Sequence, residues 1–459
     1  MPTSTVAVVG AGISGLAAAW ELLQHNTTRV IVLDASTVPG GKLRLAEVAG
    51  HPIDVGAESM LARRPEATAL VAELGLEAAL THPNPVPAAV WSRGRRWPLP
   101  SGTVMGVPTD PPTAAGLLSP DEVARAAAEQ VGPPVTEDLS VGEFVADRVG
   151  PAVVDRLVEP LLAGVYAGHA RRLSLQATVP ALWAAATTGT GLVGQAIGGN
   201  GGGPVFAGYR GGLGRLAADL AAALVSRGVE IRSSTTVRAL DRRPGGWRLT
   251  AGPTTAEQGI DVDGVVLAVP AAPAARLLRP TAPAAADQLA AIEYASVGIV
   301  TFALPRDAAD LLQGSGVLVP PVEPLTIKAT TFSSTKWAWL DADAAGVVLA
   351  RASLGRAGEA ATLQRDDADL VATALADLRT ILGPDLPDPV DTHLQRWGGA
   401  LPQYAVGHVD RVAAVLAATA ALPALGLAGA AYEGVGIPAC IGSGRRAARE
   451  VVADLRQRQ

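Results

Sequence analysis

Gly10-Ala11-Gly12-Ile13-Ser14-Gly15 places three glycines at G-x-G-x-x-G spacing, after the apolar run Thr5 to Val9 and at the head of an alanine-rich run to Gln24. The glycines permit a tight turn, close approach of backbone to a pyrophosphate, and close packing of helix on strand. Free N–H groups at the helix start add the positive end that an anion needs. Asp34, with Ala35 beside it, closes a second apolar run, Arg29 to Leu33, near the place where an acid accepts from a ribose hydroxyl. Strand, glycine turn, helix, strand and acid together predict dinucleotide binding rather than a structural turn.

Other chemistries find less support. Gly41-Lys42 suggests a phosphate-binding loop, but Ser36 replaces the first glycine of that motif and Leu43 its Ser/Thr, so phosphoryl transfer is not supported. His25, His51, His82, His169, His393 and His408 show no metal-ligand spacing, and Cys440 adds none, so no metal site is expected. Asp54, Glu58 and Tyr432 lie in loop motifs where an acid or base could act. Capping or hydrogen bonding accounts for each equally well, so no catalytic residue is assigned.

The elements that position these groups are read from periodicity. After the βαβ start comes a proline-dense, turn-rich stretch, Pro83 to Pro134; apolar residues at helical spacing follow from Leu139 to Leu162, with Asp138 or Ser140 as N-cap. Gly198 to Gly203 reads as a turning connection, after which a helix-then-strand order resumes. Asp261 to Ala272 contains a continuous apolar run suited to a buried strand that rejoins the first sheet. The last block, from Leu425, reads as strand, glycine loop and helix. No fixed-period repeat is present, which disfavours a solenoid or propeller.

Composition bounds the class. A chain of 459 residues with 49% hydrophobic and 17% charged residues folds compactly, with room for two or three domains. A net charge of −6, with arginines scattered, argues against a nucleic-acid partner. One cysteine excludes an intrachain disulfide and makes the cytoplasm the natural compartment. The N-terminal residues lack the charged region and cleavage site of an export signal. Leu175 to Tyr209 and Val412 to Tyr432 carry no run suited to a membrane span, because glycine, threonine and proline interrupt them; they read as core.

The motifs further along carry a resemblance. Gly40-Gly41 in STVPGGKLR resembles the second motif of FAD-binding amine oxidases and desaturases, with Lys42 in place of their arginine, and IDVGAES (Ile53 to Ser59) resembles their third. LLAGVYAG (Leu161 to Gly168), GGLGRLAADLAAAL, STTV, DGVVLAVPAA (Asp263 to Ala272), RWGGALPQYAVGH (Arg396 to His408) and LAGAAYEGVGIPACIGSGRRAA (Leu427 to Ala448) extend it. Together they resemble the protoporphyrinogen and coproporphyrinogen oxidase family over nearly the whole chain. The last two stretches are the most diagnostic.

The resemblance implies an α/β fold: a Rossmann-like FAD-binding domain of the amine oxidase and desaturase kind, with a second, mixed α+β substrate domain. The FAD domain would comprise 1–82, 204–281 and 393–459, and the substrate domain 83–203 and 282–392. FAD would be held by Gly10, Ala11, Gly12, Ile13, Ser14 and Gly15 at the pyrophosphate, Asp34 and Ala35 at the ribose, and Lys42 on the phosphate side. Gly56, Ala57, Glu58 and Ser59 would line the flavin and ribityl region. Val237 would touch adenine through its backbone, while Trp397, Ala430, Val435, Gly436 and Ile437 would lie by the ring.

The implied activity is dehydrogenation of coproporphyrinogen III to coproporphyrin III, with oxygen as acceptor and peroxide released. Protoporphyrinogen IX is the alternative substrate; a carotenoid desaturase, an amine oxidase or a non-catalytic porphyrin- or FAD-binding protein are further alternatives. Substrate propionates call for cations, for which Arg93, Arg95 and Arg96, or Lys328 or Lys336, are candidates, although SRGRR reads first as a solvated hairpin turn. Peripheral contact with a membrane is compatible with a partly apolar substrate. No residue pattern points to a ferrochelatase docking surface or to an oligomeric state.

Overall fold

The computed structural model describes residues 4–25, 28–195, 203–344 and 346–458; of the glycine connection expected at 198–203, only Gly203 is among them. The first apolar run becomes the strand Ser4–Val9, central in a parallel sheet of five strands. It pairs with Thr28–Leu33 on one side and Gly264–Leu267 on the other. Glu230–Arg232 and Leu425–Leu427 complete the two edges. Three widely separated parts of the chain therefore build one sheet. Gly264–Leu267 is buried at every residue, as an apolar run between two helical layers must be.

Helices cover both faces. Ile13–Leu23, Pro65–Glu73, Leu213–Ser226 and the long Ile437–Gln457 share one core with Val6, Val8, Val30 and Val32. Ala7, Val9, Ile31 and Leu33 point the other way, into a core shared with helices Ala271–Leu278 and Pro283–Ala290 and with the antiparallel strands between Val237 and Val262. This alternation is the period-two pattern of a strand packed on both sides.

A second sheet has seven strands, in the order Asp391–Pro402, Tyr294–Pro305, Val347–Leu354, Ile327–Phe332, Gly316–Leu318, Ala88–Ser92 and Arg95–Pro98. All neighbours are antiparallel except Gly316–Leu318 with Ala88–Ser92. The expected segment boundary at 392/393 falls inside Asp391–Pro402. Its pairing with Tyr294–Pro305 runs from Ala303 opposite Asp391 to Tyr294 opposite Pro402, so this stretch belongs to the second sheet. Val300, Phe302, Ala350 and Ala352 pack on helix Asp367–Leu382. The opposite face turns toward the loops of the first sheet.

Between the two sheets in sequence lies a helical body. Ser140 caps Val141–Val149 by accepting from the Glu143 N–H at 3.1 Å, whereas Asp138 accepts from the N–H groups of Gln176 and Gly407. The helical pattern expected over 139–162 is broken at Gly150-Pro151, where Gly150 takes φ +100° and proline has no N–H to continue the ladder. A π-helical turn, Val154–Val158, then leads into Glu159–Tyr166. Among the described residues no helix is long and apolar enough to cross a membrane, and no group of three or more His, Cys, Asp or Glu is placed to hold a metal.

Candidate functional site

The glycine turn sits at the carboxyl end of Ser4–Val9, where open α/β sheets bind ligands. The Gly10 N–H donates to Leu33 O at 2.7 Å, and the Gly40 N–H to Ala11 O at 2.8 Å, so the first and second glycine motifs are laced together. The Asp34 carboxylate accepts from the Ala11 and Ser36 N–H groups, and Thr235 donates to Asp34 O at 2.7 Å, which brings the stretch leading to Val237 alongside. Helix Ile13–Leu23 starts at Gly12 without a side-chain cap and without an acid in its first turn. A Cβ on Gly12 would meet nothing within 4 Å. The protein's own atoms do not require glycine there, and its absence of a side chain leaves the turn open to close approach by another group.

Residues 40–42 run against residues 56–57. Ala57 donates to Lys42 O at 3.3 Å, and a Cβ on Gly56 would lie 1.9 Å from the same oxygen. Burial pushes the Lys42 ammonium below its ordinary range against an opposing influence from Cys440, whose own thiol is raised by burial. Asp54, 5% exposed, accepts from the Leu213 N–H (2.8 Å) and the Gly214 N–H (2.9 Å), the start of helix Leu213–Ser226. Burial pushes its carboxyl up to about 7, against the pull of those two donors.

Glu58 is the hub of the loop. Its Oε1 accepts from Lys336 Nζ at 2.5 Å, and its Oε2 from Arg351 Nη1 at 2.7 Å and the Ser333 hydroxyl at 3.3 Å. Arg351 also donates to Gly56 O at 2.6 Å. Burial alone would raise this carboxyl; Lys336 and Arg351 overcome it and hold the group down to about 2. Trp397 donates from its indole N–H to Val55 O at 2.8 Å, so this tryptophan fastens the same loop rather than merely filling a core.

The C-terminal loop closes the site. Tyr404 OH donates to Ala430 O at 2.6 Å and accepts from the Gly434 N–H at 2.8 Å, which pins both ends of the turn before Val435 and Gly436. Helix Ile437–Gln457 then begins at Gly436, again without a side-chain cap or an early acid. Tyr404 stacks on His408 with ring centroids 3.8 Å apart; burial pushes that imidazole down to about 4 and keeps it neutral. Tyr432 is buried with an unpartnered hydroxyl, and burial raises it well above its ordinary value.

The structure thus gathers Gly10–Gly15, Lys42, Gly56–Ser59, Trp397, Ala430 and Val435–Ile437 around one end of the parallel sheet, with Asp34, Ala35 and Val237 at its flank. It does not bring the SRGRR arginines there. Arg93 (φ 54°) and Gly94 (φ 75°) turn an exposed hairpin, Arg93 pairs with Glu122 at 2.6 Å, and Arg95 lies over the Trp97 ring at 3.6 Å. Sequence reasoning missed Arg351 and the clamping role of Tyr404. The signal for Arg351 was a lone arginine in the apolar run VVLARASL, which requires a buried partner.

Fold and site define an FAD-dependent oxidoreductase. Residues 13–452 match the family described as flavin containing amine oxidoreductase, and the chain belongs to that family. It is 39% identical to coproporphyrinogen III oxidase of Mycobacterium leprae, over 99% of this chain and 100% of that protein. It is 31% identical to coproporphyrinogen III oxidase of Bacillus subtilis, over 98% of each. Among solved structures, a protein from Exiguobacterium sp. 255-15, provisionally assigned as a protoporphyrinogen oxidase, matches over 100% of both chains with TM-score 0.87 and 30% identity.

Proposed function

We propose that this chain oxidises coproporphyrinogen III to coproporphyrin III. The observation that carries the proposal is the full-length likeness to coproporphyrinogen III oxidases at 39% identity. FAD, when bound, would supply the acceptor for two-electron dehydrogenations, with oxygen as the terminal oxidant and hydrogen peroxide as its product. Gly10–Gly15 would hold its pyrophosphate, Asp34 and Ala35 the ribose, Lys42 the phosphate side, and Val237 the adenine. Gly56–Ser59, Trp397, Ala430 and Val435–Ile437 would border the ring. The bare starts of two helices, at Gly12 and Gly436, fit this division of labour.

The side chains of the loop orient rather than exchange protons. Glu58 is held ionised by two cations, Asp54 is buried beneath the helix it caps, and Tyr432 and His408 stay neutral. Asp54 alone has a basicity near neutral, but it is buried with both oxygens engaged by the Leu213 and Gly214 N–H groups, so none of the four joins exposure to the intermediate basicity that a general base needs. The protein's contribution on this reading is to hold and orient the ring, for which the cluster of Val297 and Ile299 with Trp397 offers apolar surface beside the 55–58 loop. A cytoplasmic setting is supported by the single cysteine, which can form no intrachain bridge.

The test is porphyrin fluorescence after adding the FAD-loaded protein to coproporphyrinogen III and, in parallel, protoporphyrinogen IX, in air and with a no-enzyme control. Faster conversion of coproporphyrinogen is expected. Preference for protoporphyrinogen would shift the assignment to that substrate. No rate with either, or no bleaching of the flavin absorbance under anaerobic substrate, would refute porphyrinogen oxidation.

A further inference from the structure

Lysine is rarely buried without a partner, yet Lys328 is 4% exposed and its ammonium meets only neutral oxygens, the Ser353 hydroxyl and Leu354 O at 3.2 Å. Its neighbour Arg356 is 5% exposed. One Arg356 nitrogen donates to Val319 O at 3.1 Å, another lies 3.8 Å from the half-exposed Glu359 carboxylate, and Nε has no partner. Glu159, the other carboxyl within electrostatic reach of Arg356, is itself pushed up by burial. Arg356 thus has Glu359 at ion-pair distance and Glu159 within reach, whereas Lys328 has no carboxylate in contact, and a further anion beside it would offset the cost of burying its charge. Burial and the Arg356 charge push the Lys328 ammonium down to about 7.

The register places this pair. Val297, Ile299 and Thr301 alternate onto one face of Tyr294–Pro305; opposite them lie Trp397, Ser353 and Arg351 respectively. Val297, Ile299, Ala167, Ala357 and Ala400 form one apolar cluster with Trp397. A bulge between Ile327 and Ala329 lets Lys328 reach Ser353. Ser353 stands two residues, about 7 Å, along the strand from Arg351, which grips Gly56 O. The cations thus end an apolar wall that begins at Trp397 and the 55–58 loop.

From this geometry we infer that Lys328, with Ser353 and Arg356 beside it, receives a carboxylate of the tetrapyrrole while the apolar wall takes the ring. The inference rests on the porphyrinogen reading above and names a specificity determinant within it. Of the two lysines considered from sequence, Lys336 is already neutralised by Glu58; Lys328 is not. A charge-assisted hydrogen bond from a buried ammonium to a carboxylate binds and orients at once.

The experiment compares the FAD-loaded wild type with Lys328→Met and Lys328→Arg. It reads kcat and KM for coproporphyrinogen III, and Kd for coproporphyrin III by fluorescence titration. Lys328→Met removes a lone buried charge without leaving a void, so its melting temperature should equal or exceed that of the wild type. KM and Kd should rise about tenfold, one lost charge-assisted hydrogen bond, with a smaller change in kcat. Lys328→Arg should recover part of the affinity. Coproporphyrin III tetramethyl ester should bind wild type and Lys328→Met equally. Unchanged KM and Kd in a folded Lys328→Met protein, or a fall in kcat at constant KM, would overturn the inference. A wild type inert toward coproporphyrinogen would instead overturn the proposed function.

Discussion

Replacing Glu58 with glutamine isolates the charge at the hub of the flavin loop, because glutamine keeps the shape and one acceptor oxygen. In the native protein the carboxylate answers both Lys336 and Arg351. Without it those two cations, 16% and 9% exposed, face each other with no anion between them. A depression of the Glu58 carboxyl from 4.5 to about 2 corresponds to roughly 3 kcal/mol of folding stability. Breaking a buried pair from one side is of the same order, about 3–5 kcal/mol. The sign follows from linkage: the group is depressed on folding, so its contribution is full above the unfolded value of 4.5 and is lost as pH falls toward 2.

Urea unfolding of wild type and Glu58→Gln at one fixed FAD concentration, at pH 7 and at successively lower pH, measures this directly. The gap between the two proteins should be about 3 kcal/mol at pH 7 and should shrink to under half of that near pH 3. A gap below about 1 kcal/mol at pH 7, the level of an exposed ion pair, would refute the reading of Glu58 as the buried anion of the site. So would a gap that stays constant with pH.

The glycine turn separates two kinds of necessity. Gly15→Ala would force a Cβ to 1.8 Å from Gly10 O and should abolish folded expression, whereas Gly12→Ala meets open space and should keep the fold while purifying with little flavin, as read by its absorbance spectrum. Tyr404→Phe removes the bridge between Ala430 O and the Gly434 N–H and should cost about 2 kcal/mol in urea unfolding, with weaker FAD retention on dialysis. Asp54→Ala strips the cap from Leu213 and Gly214 and should lower stability by about 2 kcal/mol at pH 7.

The parallel sheet was legible because its strands are apolar runs punctuated by glycine, and because the turn at Gly10–Gly15 imposes residue types that few other structures demand. The helical break at Gly150-Pro151 was visible in the letters but overridden by the apolar spacing around it, which continues on both sides. Partnerships across hundreds of residues were not readable at all. Glu58 with Arg351 joins positions 293 apart, and Trp397 with Val55 joins positions 342 apart. The 392/393 boundary failed for a related reason: an edge strand carries polar residues such as Gln395 and Arg396, so its pattern does not announce which sheet it joins.

Those long-range ties converge on a few consecutive residues. Asp54 caps a helix of the first core, Val55 O accepts from Trp397, Gly56 O from Arg351, and the Glu58 carboxylate from Lys336 and Arg351. One loop is therefore held from beneath by the nucleotide fold and from above by the second sheet. Domains joined by ordinary interfaces move relative to one another by default, and a ring lying along such a seam would be displaced by that motion. Fastening the loop through charged, buried contacts from both bodies removes that freedom at the place where, on the proposed function, cofactor and substrate would keep register. The strand that fixes the loop through Arg351 carries Ser353 further along, and Lys328 reaches Ser353 from the neighbouring strand, so the distance between that loop and the cation is set within two paired strands of one sheet rather than across a hinge.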